Sequence, residues 1–183
     1  MFLGVRELER RKLRFDVAFA PGEIDFGDAR LRQAGALNVE GSAELLAAIV
    51  EIRVSGRIRG AMVAECDRCL EPAPLALDGA FDLSYRPSDL EPRHEVALDG
   101  KESEVDFFEG DGIELAGVVR EQVLLALPMQ RLCCPDCRGI CPVCGQNRNR
   151  SACACQPAPA DGRWAGLDGL SLSKGRMHAK SET

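Results

Sequence analysis

The chain has 183 residues, enough for one domain of ordinary size or one domain with a small appended module, so its main body needs no disulfides to hold a core. The net charge of −6 hides an asymmetry: residues 129–183 carry eight Lys and Arg against four Asp and Glu, whereas residues 1–128 carry fifteen against twenty-five. An acidic body repels phosphate, which argues against a broad nucleic-acid-binding face there and leaves the mildly basic C-terminal part as the place for RNA contact.

The N-terminal stretch MFLGVRELERRKLRFD spaces its charges every few residues and holds no apolar run of signal-peptide length. No later stretch reaches the roughly 18 uninterrupted apolar residues of a membrane span. The expectation is a soluble cytoplasmic protein without a membrane partner. In that reducing compartment, closely spaced cysteines are more often metal ligands than disulfides. The basic cluster Arg10, Arg11, Lys12 and Arg14, beside Glu7 and Glu9, reads as a solvated edge, whether a first strand or a frayed arm.

From about Glu44 to Cys66 the pattern is that of a strand. Ile52, Val54 and Ile58 alternate with Arg53, Arg57 and Arg59, and Gly56 and Gly60 read as bends or bulges. A second strand is predicted over 75–86, where Leu75, Leu77, Phe81 and Leu83 share one parity. Cys66 and Cys69 then sit at a strand-to-strand turn, where two thiolates can converge. Residues 87–110 are acidic and turn-rich, a surface connection ending in a short extended piece at 105–108.

The clearest helix follows, with Asp111 as N-cap, Glu114 three residues later as in a capping box, and Pro128 closing the segment. Its apolar face, Ile113, Leu115, Ala116, Val118, Val119, Val123, Leu124 and Leu127, is expected to pack across the sheet. After Pro128 the composition turns to Cys, Pro, Gly and Arg, too poor in apolar side chains to fold by burial alone. Metal would supply the missing free energy, on the order of 10 kcal/mol for a structural site. Residues 156–183 read as a loop and a loosely ordered tail, in which Trp164, Leu167 and Leu170 have helical spacing suited to docking on the body. The predicted architecture is therefore α+β: a mostly antiparallel β-sheet body with one main helix over 1–128, a cysteine-rich zinc-binding module over 129–160, and a tail over 161–183.

Nine cysteines carry the chemistry: Cys66 and Cys69 stand apart, and seven fall between Cys133 and Cys155. They read as the pairs Cys66/Cys69, Cys133/Cys137, Cys141/Cys144 and Cys153/Cys155, with Cys134 unassigned. Structural zinc is usually held tetrahedrally by two close pairs. The preferred arrangement joins Cys66/Cys69 to Cys133/Cys137 and Cys141/Cys144 to Cys153/Cys155, with Gly145 free to adopt positive φ in the second turn. Two alternatives stay open: Cys134/Cys137 with Cys141/Cys144 as one set, or a single zinc in the C-terminal cluster with Cys66 and Cys69 as free buried thiols. One or two zinc ions are thus expected.

The run C-x2-C-x3-C-x2-C departs from the usual iron–sulfur spacing. Cys66-Asp-Arg-Cys69 leads into Leu70-Glu71-Pro72 and does not open a helix, as a thioredoxin-type motif would. His94 and His178 stand far from any candidate nucleophile, and there is neither a phosphate-cradling Gly-rich loop nor a strand-linked GxGxxG. No enzymatic activity and no small-molecule substrate are expected.

Four stretches, CDRCLEP at 66–72, LLALP at 124–128, CRGICPVCGQNRN at 137–149 and CACQ at 153–156, resemble the YceD family, the large ribosomal RNA subunit accumulation proteins of bacteria and plastids. DGRWAGLDGL at 161–170 is similar to that family's closing segment, with Gly162 where proline is more usual. The resemblance runs from about residue 50 onward. It implies a role in synthesis, processing or stability of 23S rRNA, with a ribosomal protein or rRNA of the large subunit as partner, and carries over the matching cysteines as metal ligands. Cys134 and the tail LSLSKGRMHAKSET depart from the pattern. The rival from another class is a cytosolic thiol-redox or metal-switch protein, which requires exposed sulfurs of low pKa.

Overall fold

The computed structural model describes residues 1–46, 50–88, 105–156 and 163. In chain order the elements are β1 (Phe2–Gly4), α1 (Val5–Leu8), β2 (Leu13–Phe19), β3 (Leu31–Gln33), β4 (Leu37–Leu46), β5 (Glu51–Glu65), β6 (Pro72–Pro87), β7 (Val105–Phe108), β8 (Gly112–Glu114) and α2 (Leu115–Ala126). Strands β2-β4-β5-β6-β7 form one sheet, with β3 pairing to the part of β5 that β4 leaves free. Pairing is antiparallel except between β6 and β7, which is parallel. The architecture is α+β and predominantly antiparallel, as the alternation of apolar and charged residues predicts.

That alternation decides which face is buried. Phe15, Val39, Val54, Ile58, Leu77 and Phe81 point to one side, where they meet Leu115, Val118, Val119 and Val123 of α2 in one core. Across the middle of the sheet, Phe15, Gly41, Gly56 and Phe81 stand in register. The opposite face carries the arginines of β5. Arg53 pairs with Asp82, Arg57 with Asp78, and Arg59 with both Glu40 and Asp78. Exposed to solvent on both sides, these pairs add little to stability. They also leave the sheet's solvent face locally neutralised, with Asp78 and Asp82 held below the usual carboxylate range by their hydrogen bonds to Arg57 and Arg53.

Three expectations need correction. The strand run read from Glu44 to Cys66 is two strands: β4 begins earlier, at Leu37, and Glu44–Leu46 fold back on Glu51–Arg53. Gly56 and Gly60 are neither bends nor bulges. Both lie within unbroken pairing to β6, where a Cβ on Gly56 would stand 2.5 Å from the Glu40 carbonyl and one on Gly60 2.6 Å from Leu37 Cδ2. The basic cluster is a solvated edge as expected: Arg10, Arg11, Lys12 and Arg14 are exposed at the start of edge strand β2, while the apolar Leu3, Leu8 and Leu13 around them are buried. Finally, Asp111 is not the helix N-cap. Gly112–Glu114 pair with β1, the Asp111 carbonyl accepts a 2.8 Å hydrogen bond from Val5 N–H, and Glu114 precedes α2 without a side-chain cap. The C-terminal end is as predicted, with Leu127 extended before Pro128, because proline disfavours helical backbone in the residue before it. His94, Trp164, Leu167, Leu170 and His178 lie outside the described residues.

Candidate metal centres

The first centre grows from the β5–β6 hairpin. Cys66 leaves β5, and its N–H donates to the Glu71 carbonyl at 2.8 Å while its carbonyl accepts from Leu70 N–H at 2.9 Å. This tight turn aims Cys66 and Cys69 the same way. Cys133 and Cys137 arrive after α2 and are steered there by Arg131. The Arg131 backbone exchanges hydrogen bonds with Asp67 at 2.9 and 2.6 Å, and its guanidinium grips Asp28 at 2.8 Å.

The four sulfurs of Cys66, Cys69, Cys133 and Cys137 lie within 4.8 Å of one another. The Cys66–Cys137 separation is 3.8 Å and Cys69–Cys133 is 3.5 Å. A tetrahedral zinc with Zn–S of about 2.3 Å requires sulfurs about 3.8 Å apart, so this donor set fits that ion. Cys66, Cys69 and Cys137 are buried, and with Ala73, Leu132 and Cys133 they make a small apolar cluster separate from the main core.

The second centre is built almost wholly from a short piece of chain. Cys141-Pro-Val-Cys144 closes with Gly145 N–H on the Cys141 carbonyl at 2.8 Å, and Gly145 adopts the expected positive φ, +72°. Cys141 N–H returns to the Gln146 carbonyl at 2.8 Å, and Ile140 bridges Asn147. Cys153 and Cys155 then come back so that their sulfurs and those of Cys141 and Cys144 also lie within 4.8 Å of one another. Here Cys144 and Cys155 are exposed and Cys153 is half-buried; only Cys141 is enclosed.

The two centres abut. Ile140 N–H donates to the Arg68 carbonyl at 2.9 Å, and Arg68 Nη1 donates to the Cys137 carbonyl at 3.0 Å. Gly139 lies at φ +71° with its Cα so close to Arg68 that a Cβ would stand 2.8 Å from the Arg68 carbonyl. Glu71 ties the second segment further through Asn147 and Arg150, the latter at 2.8 Å. Asn149 Nδ2 donates to Cys137 Sγ at 3.2 Å, a hydrogen bond from the second segment to a sulfur of the first centre. The eight cysteines singled out from the sequence thus gather as two groups of four. Cys134 stands outside both, exposed, with its sulfur 3.8 Å from that of Cys133.

Thiols packed this closely cannot all ionise without a cation between them. Burial pushes the Cys66 thiol up, but the N–H groups of Arg68, Cys133 and Cys69 outweigh it and hold the thiol at about 6. The Asn149 amide, acting against burial, lowers Cys137. The neighbouring Cys69 thiol and then burial drive Cys133 well above its ordinary value. In the second group, the N–H groups of Cys144 and Val143 hold Cys141 at about 6, while Cys155 is pushed up to about 12, first by the Cys144 thiol. A divalent cation would remove this conflict, since every ligating thiol then binds as thiolate.

Sequence reasoning did not anticipate Arg131 with Asp67, Asn149 on Cys137, or Leu70, which holds φ +62° in the first turn. Only Leu70 left a sequence signal: it occupies the position after a CxxC that Gly145 fills in the other turn.

The family described as "Large ribosomal RNA subunit accumulation protein YceD" matches residues 54–171, and the chain belongs to this family. Among curated proteins, the chain is similar to the chloroplastic "Large ribosomal RNA subunit accumulation protein YCED homolog 1" of Zea mays, 24% identical over 188 residues that cover 87% of this chain and 62% of that protein. It is also similar to an uncharacterized protein of Mycobacterium tuberculosis, 27% identical over 130 residues that cover 71% of this chain and 60% of the relative. The chain therefore spans about three fifths of the length of these relatives. No solved structure matches it.

Proposed function

We propose that the chain is a cytoplasmic, non-enzymatic accessory factor in large-subunit ribosome production that supports synthesis, processing or stability of 23S rRNA, with one structural zinc in each four-cysteine group. The observation that carries this reading is the extent of the family match: residues 54–171 include all eight grouped cysteines. The family is named for accumulation of an RNA and not for a reaction. Four thiolates around zinc close its coordination, leaving none of the open positions that catalytic zinc uses. Zinc here would hold a surface in place.

The described surface suits a binding role for the cysteine-rich end. Arg138 and Arg148 are exposed and, among the described residues, have no acidic partner, whereas Arg150 is engaged by Glu71. The pairing of Arg53, Arg57 and Arg59 with carboxylates supports keeping polyanion contact away from that stretch of the sheet. If rRNA is the partner, Arg138→Glu with Arg148→Glu is expected to weaken RNA binding roughly uniformly across sequences and to reduce the salt slope by about 2. Salt titrations of both proteins against the same RNA check this, and equal slopes would leave a ribosomal protein as the partner.

The direct test of the function is the ratio of 23S to 16S rRNA in cells depleted of the protein, with elemental analysis of the purified chain. A fall in 23S restored by the wild-type chain, together with two zinc per chain, is the expected result. An unchanged ratio, or iron in place of zinc, overturns it.

The thiol-switch reading keeps one supporting observation, the exposure of Cys134, Cys144 and Cys155. Graded chelation is expected to remove one metal equivalent, from the open second group, well before the other. Cys144→Ser should abolish that early phase and leave the late one. Release of the enclosed metal first would sever the link between burial and retention.

A further inference from the structure

The two CxxC turns are built alike: Leu70 N–H bonds the Cys66 carbonyl at 2.9 Å, and Gly145 N–H bonds the Cys141 carbonyl at 2.8 Å. Both residues take left-handed backbone, with φ +62° and +72°. Glycine adopts that conformation freely; a leucine there crowds its Cβ against the following carbonyl. Burial does not compensate, because Leu70 is 56% exposed. The first turn therefore keeps a large apolar side chain on the surface at a position where local structure favours glycine.

What surrounds it has a definite chemistry. Leu70, Pro72 and Val63 line a shallow cavity of about 220 Å3 that Arg30, Arg32 and Glu65 also border. Two arginines and one glutamate thus border it. Arg32 has no acidic partner among the described residues, and Arg30 reaches Asp28 only at 3.7 Å, that carboxylate being held at 2.8 Å by Arg131. Ile140 hangs from the Arg68 carbonyl, two residues before Leu70, so the segment bearing Arg138 and Arg148 adjoins this turn. Arginines thus continue from the cavity into that segment, where Glu71 is already engaged by Arg150, and their spread exceeds what a single anionic group would occupy.

We propose that this cavity takes one nucleotide of a single-stranded RNA segment, with its phosphate at Arg30 and Arg32 and its base laid on Leu70 and Pro72. Arginine forks match phosphate, and an unstacked base offers a flat face to an apolar side chain. The inference rests on the reading that the chain serves ribosomal RNA, and adds to it a binding site.

The test measures fluorescence anisotropy of a labelled single-stranded RNA of about 10 nucleotides, the span of one compact binding surface, against the metal-loaded full chain. Leu70→Gly is expected to weaken binding about fivefold or more while the thermal midpoint stays the same or rises, because backbone strain is relieved. Leu70→Ala keeps the strained backbone and should weaken binding equally, assigning the loss to the side chain. Arg32→Glu should weaken binding and reduce the salt slope by about 1 to 2.

Wild-type affinity in all three variants, with loss only in Arg138→Glu/Arg148→Glu, overturns this site while the ribosomal RNA reading stands. Competition by poly-glutamate as effective as by unlabelled RNA overturns the nucleotide assignment in favour of an acidic peptide. A wild-type chain that binds no RNA also overturns it, and the 23S to 16S ratio in depleted cells then decides the broader reading separately. A lowered thermal midpoint in Leu70→Gly would make Leu70 a structural residue and end the proposal.

Discussion

Replacing Cys66 by serine is expected to remove one of two zinc equivalents and to lower the thermal midpoint by about 10 °C or more. Cys66 has no solvent exposure and lies 3.8 Å from the Cys137 sulfur, at the point where the β5–β6 hairpin and the chain after α2 are held together. A serine hydroxyl is not ionised at neutral pH and replaces a soft thiolate poorly as a zinc ligand. The remaining cluster, with Ala73 and Leu132, is too small to hold those segments by burial. On the proposed zinc reading, losing this buried ligand belongs with the largest single-substitution effects, roughly 4–5 kcal/mol or more.

The matching substitution in the second centre is a useful contrast. Cys144 is exposed, and its group is formed by residues 141–155, so Cys144→Ser should also remove one zinc while leaving the melting of the body nearly unchanged. Elemental analysis and thermal unfolding of the two variants side by side check both expectations. Two zinc retained in Cys66→Ser, with an unchanged midpoint, would detach this centre from the stability of the body.

The parts legible in the sequence were those with short-range signatures. Alternation identified the core faces of β5 and β6, apolar spacing and Pro128 identified α2, and close cysteine spacing marked the thiols that the fold gathers in fours. What escaped depends on distant partners. The sequence Asp111-Gly-Ile-Glu114 has a capping box's form, yet pairing of Gly112–Glu114 with Phe2–Gly4, more than a hundred residues away, overrides the local preference. Arg53, Arg57 and Arg59 alternate visibly, but their neutralisation by Asp82, Asp78 and Glu40 follows from strand register. Leu70 illustrates the same limit: its residue type is plain, but its positive φ becomes meaningful only beside the second turn built the same way.

Gly41 shows how much of the body hangs on one such register. A strand-forming Val placed there would be favoured by local propensity, since β4 is otherwise an ordinary half-buried strand. The cross-strand geometry forbids it. A Cβ on Gly41 would stand 2.3 Å from the Ser55 carbonyl oxygen, 2.7 Å from Phe15 Cζ and 2.8 Å from Gly56 Cα. Phe15 could turn aside only by giving up its place in the core, and the other two atoms are backbone of the paired strand. Gly41→Val should therefore force β4 from β5 at the centre of the sheet, destabilising the chain by roughly 3 kcal/mol or more. Strand β5 leads into the hairpin that carries Cys66 and Cys69, so metal retention by the first centre should weaken along with the body. Thermal unfolding combined with graded chelation would read both effects. If the midpoint moved by less than about 2 °C, the close approach of β4 and β5 at Gly41 and Gly56 would not be what organises the sheet.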